Sequence, residues 1–118
     1  MALKLTPHVL RAAYDLLAVT EPFVRWNLPD GEDVNFVVSR SRKVYGWHCS
    51  SYKAPHTIAA SDGLIGQLHT LLETMAHEMI HLHGAQAGLR CATEHNAEFR
   101  KFAAQVCKVH TAFDQKNF

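Results

Sequence analysis

At 118 residues, 47% hydrophobic and 19% charged, the chain has the size and composition of one globular domain with a modest core. A formal net charge of +1 excludes an overall field that would hold it on nucleic acid or an anionic membrane. Nine histidines are the compositional oddity and point to metal, because imidazole is the commonest side-chain ligand.

In chain order, Thr6-Pro7 predicts an N-cap and first helical position. Leu10, Ala13, Tyr14 and Leu17 continue that helix to about Val19, ahead of Pro22. Residues 20–33 read as a connecting loop with a turn at Pro29-Asp30-Gly31. Val34, Phe36 and Val38 alternate as a half-buried strand. Arg40, Arg42 and Lys43 read as the solvated tip of a hairpin. Tyr45, Trp47 and Cys49 alternate as a second strand, Pro55 breaks the chain, and Thr57 to Ala60 forms a short third strand. Leu64, Leu68, Leu71, Leu72, Met75, Met79 and Leu82 then follow a helical period, with Gly84 as the expected C-cap. A last helix is expected from an N-cap at Thr93 to about Val109, with Phe99, Phe102, Ala103 and Val106 on its apolar face. The order predicts one α+β domain over 1–118: an N-terminal helix, a small, mostly antiparallel three-stranded sheet, then two helices.

Cys49, Cys91 and Cys107 are odd in number and lack C-x-x-C spacing, which argues against a disulfide framework or a zinc ribbon. With no signal-peptide pattern in the first ten residues, they suit a reducing, cytoplasmic setting. No apolar run approaches the roughly 18 residues of a membrane span.

The chemistry centres on His77-Glu78-Met79-Ile80-His81. On a helix, positions i and i+4 share a face, so both imidazoles reach one metal ion. Glu78 can then face water at that metal as a general base. Zinc suits such a site, which needs a third protein ligand. A metzincin arrangement would put that ligand at Ala87 and a methionine turn after it; neither is present. The candidates are His95, Glu94 and Glu98, with Cys91 more naturally a buried thiol. Glu98 is also a candidate to orient a ligand histidine. His83 is expected to complement a helix C-terminus and His69 to lie at the surface, while His48 and His56 are structural or cleft-lining. Tyr45, Tyr52 and Arg100 are candidates to stabilise an oxyanion.

His77-Glu78-Met79-Ile80-His81, thirteen intervening residues, then His95-Asn96-Ala97-Glu98-Phe99 resembles the SprT-like (Spartan-type) metallopeptidase domain, in a compact bacterial or phage form. Tyr45-Gly46 and Thr57-Ile58 resemble its strand layout, and the likeness covers roughly residues 34–110. Asn96 stands where the family usually has glycine. The resemblance implies a gluzincin-like minimal core, zinc held by His77, His81 and His95, and Glu78 as general base in peptide-bond hydrolysis. The substrate is then a protein or peptide, bound between the motif helix and an edge strand near Thr57 to Ala60. A non-catalytic zinc-containing binding module and a DNA-associated protease are the alternatives. No strong autonomous nucleic-acid binding and no membrane partner are expected.

Overall fold

The computed structural model describes residues 3–50 and 56–118. Pro55 and Tyr52 lie outside them. Helix α1 spans Pro7–Ala18. The Thr6 side chain accepts a hydrogen bond from the Val9 amide at 3.1 Å, so the local cap works as its chemistry dictates. Leu10, Ala13, Tyr14 and Leu17 form its buried stripe. The following loop is built around two 3-10 turns, Phe23–Arg25 and Gly31–Asp33. The Tyr14 hydroxyl ties it down by donating to the Pro29 carbonyl.

Three strands follow: β1 (Asn35–Ser39), β2 (Gly46–Cys49) and β3 (Thr57–Ser61). The sheet order is β1-β3-β2, with β3 parallel to β1 and antiparallel to β2. The sheet is therefore mixed, and β1 and β2 do not form a hairpin. Ile58, Ala59 and Ala60 are buried, which suits the centre of a sheet covered on both faces. The basic segment Arg40–Lys43 is thus no hairpin tip. It crosses the end of β3, where the Ser61 hydroxyl donates to the Ser41 carbonyl and the Ser61 amide donates to the Tyr45 carbonyl.

The faces of β2 are also the reverse of what the apolar alternation suggests. Tyr45 and Trp47 are exposed, whereas Gly46 and His48 turn inward. A Cβ at Gly46 would lie 2.6 Å from the Ala59 carbonyl oxygen of β3 and 2.9 Å from Thr74 Cγ2 of the next helix, so the neighbouring backbone and that helix together leave no room for a larger residue.

That helix, α2, spans Leu68–Ala87 and is buried on most sides; Leu64 precedes it. It passes through Gly84 and ends at Gly88, whose φ of 70° is left-handed. The Leu89 amide donates to the Gly84 carbonyl at 2.8 Å, completing a Schellman cap. Gly84 is instead a contact point: a Cβ there would lie 2.6 Å from both Cys91 Sγ and the Ala92 amide nitrogen. Those atoms belong to a 3-10 turn, Arg90–Ala92. Helix α3 spans Ala97–Val109. Its N-cap is Asn96, not Thr93: the Asn96 side chain accepts from the Phe99 amide at 3.0 Å. Among the described residues, no helix is long and apolar enough to cross a membrane.

Candidate metal centre

His77 and His81 stand one turn apart on α2, and His95 lies just before the α3 cap. The three Nε2 atoms form a near-equilateral triangle with sides of 3.1, 3.1 and 3.2 Å. Tetrahedral zinc with bonds of about 2.0–2.1 Å requires its nitrogen ligands roughly 3.3 Å apart, so this donor set fits. The tautomer fits as well. His81 Nδ1 lies 2.8 Å from the Cys91 carbonyl, an acceptor only, so Nδ1 carries the proton and Nε2 keeps its lone pair. Of the candidate third ligands, His95 joins the two motif histidines; Glu94, Glu98 and Cys91 do not.

Phe99 sets the three imidazoles relative to one another. It is 1% exposed, and its ring centroid lies 4.9, 4.8 and 4.7 Å from those of His77, His81 and His95. The Asn96 cap places Phe99 by holding its amide, so asparagine at the position where glycine is usual begins the helix in ordinary extended geometry.

Burial keeps His77 and His81 neutral. It pushes His77 down to about 3, with His81 and His95 adding to the effect. It lowers His81 too, with His95 acting in the same direction and the Cys91 carbonyl opposing. Glu78 is 5% exposed, and burial raises it to about 8. A neighbouring dication would favour its carboxylate form.

These groups open onto a cleft of about 520 Å³, whose walls include His77, Glu78, His95, Tyr45 and Lys43. Of the proposed oxyanion groups, Tyr45 lines this cleft and Arg100 does not. The strand beside the cleft is β2, whose only ladder partner among the described strands is β3. The edge role expected of Thr57 to Ala60 therefore falls to β2.

Four of the other histidines, His48, His56, His69 and His83, serve packing and local bonding. His83 stacks on Trp26 at 4.5 Å and meets Phe102 edge-on at 5.0 Å, rather than complementing the α2 terminus. His48 and His56 both bond the Ser50 hydroxyl. His69 lies 3.4 Å from Glu73. The Cys91 thiol is buried and raised to about 11 by burial and then Glu98. Glu98 also opposes the lowering that burial imposes on His83.

Sequence reasoning missed the hub role of Phe99, although its place at the end of the second histidine motif was a signal. It also missed the Cys91 carbonyl, for which no side-chain pattern could stand.

Comparison with curated proteins and with solved structures yields no match. The model of the SprT-like family matches residues 13–117, nearly the whole chain. With its paired histidine motifs converging on one site, the chain belongs to the SprT-like family.

Proposed function

We propose that the protein is a zinc-dependent peptidase, with His77, His81 and His95 as the metal ligands and Glu78 as general base. The observation that carries this reading is the convergence of three Nε2 atoms within 3.2 Å beside a buried carboxylate. Zinc bound there would supply Lewis acidity toward a carbonyl and toward water. Glu78 takes the proton of the attacking water on its carboxylate and returns it to the departing amine. A purely structural site has no need of that carboxylate. An extended polypeptide adds to the open edge of β2 by backbone hydrogen bonds, which brings its carbonyls past Glu78 and Tyr45. Tyr45, which lines the same cleft, is the group assigned to donate to the developing oxyanion. The three unpaired thiols suit work in a reducing compartment.

Zinc-loaded protein is expected to cleave fluorescein-labelled unfolded casein. Glu78→Gln should retain zinc and fold while losing at least about a hundredfold in rate. Undiminished cleavage by Glu78→Gln would overturn the role of that residue. No cleavage by the zinc-loaded native chain would transfer the site to a binding module.

A further inference from the structure

One buried acid of α2 has no part in the chemistry above. Glu73 precedes His77 by one helical turn and is 8% exposed. Its Oε2 accepts from the Asp114 amide at 2.8 Å. Asn117 Nδ2 donates to both of its oxygens, at 3.2 and 3.3 Å. Placing a carboxylate mid-helix in a buried position is costly unless its lone pairs are satisfied, and here the Asp114 amide and the Asn117 side chain satisfy them, with His69 Nε2 3.4 Å from Oε1. Simple packing of this segment would be served as well by apolar contacts, which Phe113 and Phe118 already provide. The polar clamp adds orientation. It brings Asn117 into the cleft wall with His77 and Glu78, and Phe118 to 5.9 Å from the His77 ring.

With Nδ2 committed to Glu73, the amide plane of Asn117 is fixed and its Oδ1 remains an acceptor. No hydrogen bond to Oδ1 occurs among the described residues. The cleft wall opposite is β2, whose open edge takes the substrate backbone.

We propose that the segment from Asp114 to Phe118 is the second wall of the substrate site, that Asn117 Oδ1 accepts a backbone N–H of a bound polypeptide, and that Glu73 is the positioning residue for it. The inference rests on the peptidase reading and makes the ligand class an extended backbone gripped from both sides.

The test uses the full chain loaded with zinc. In the Glu78→Gln background, the anisotropy of fluorescein-labelled unfolded casein reports binding without turnover. Adding Asn117→Ala should weaken that affinity about five- to tenfold, the worth of one hydrogen bond. In the active chain the same substitution should raise KM by a similar factor with zinc content and Tm preserved. Glu73→Gln should give the same rise, because its NH2 would face the Asn117 NH2 where the carboxylate presents a second acceptor oxygen. The double variant should be no worse than either single, since Glu73 acts through Asn117. Casein that binds but is not cleaved would count against the peptidase reading and leave this one standing. Unchanged casein affinity in Asn117→Ala, or additive losses in the double variant, would overturn it.

Discussion

Replacing Gly84 with alanine sets two effects of opposite sign against each other. In an isolated helix the change stabilises by about 1 kcal/mol, since alanine is the better helix former. Here the new methyl would lie 2.6 Å from Cys91 Sγ, 2.6 Å from the Ala92 amide nitrogen and 2.9 Å from the Cys91 carbonyl carbon. Two of these are backbone atoms, so the Arg90–Ala92 turn must move away from α2. Overpacking of this kind costs about 1–3 kcal/mol, which outweighs the helical gain. The movement also carries off the Cys91 carbonyl that holds His81 Nδ1 at 2.8 Å. Loss of such an orienting bond weakens metal affinity about 10- to 100-fold. Urea unfolding of the metal-free variant should show a loss of about 1 kcal/mol, and competition with a chromophoric chelator should show weaker zinc binding. A variant stabilised by about 1 kcal/mol with native zinc affinity would refute the claim that this turn is pressed on the helix.

Phe99→Ala should cost about 3–5 kcal/mol in urea unfolding and loosen all three imidazoles, while Phe99→Leu should keep most of both stability and zinc affinity; equal zinc affinity in the alanine variant would remove Phe99 from its hub role. The metal-free chain should be most stable near pH 6.5. His77 and His48, lowered to about 3 and 4, lose their stabilising contribution as pH falls from 6.5 toward those values. Glu78, raised to about 8, loses its contribution as pH rises from about 4.5 through 8, and Glu78→Gln should flatten that alkaline arm in thermal melts of chelator-treated protein. An alkaline arm unchanged in Glu78→Gln would contradict the burial of its carboxylate.

What was legible in the sequence was local. The Thr6-Pro7 cap, the stripe of α1 and the His77–His81 pair each rest on spacings inside one element. The joint pattern with His95 extended this across a turn. Strand order was not legible, because alternation marks a strand without naming its partner. Only the doubly buried Ile58-Ala59-Ala60 hints that β3 is central. The inverted face of β2 goes with the close approach of the β3 backbone and of α2 at Gly46, a tertiary fact. Helix ends failed where two residues were chemically suited: Gly84 and Gly88, Thr93 and Asn96. In each pair the choice was made by contacts with another segment or by the placement of Phe99. The Glu73–Asn117 clamp joins positions 44 residues apart and leaves no periodic trace.

The central claim is tested most directly by counting zinc. Elemental analysis of the purified chain should give one zinc per molecule, Cys91→Ala should keep it, and His95→Ala should lose most of it. A native chain that takes up no zinc, or a His95→Ala variant that holds one zinc as tightly as the native chain, would contradict a centre built from His77, His81 and His95.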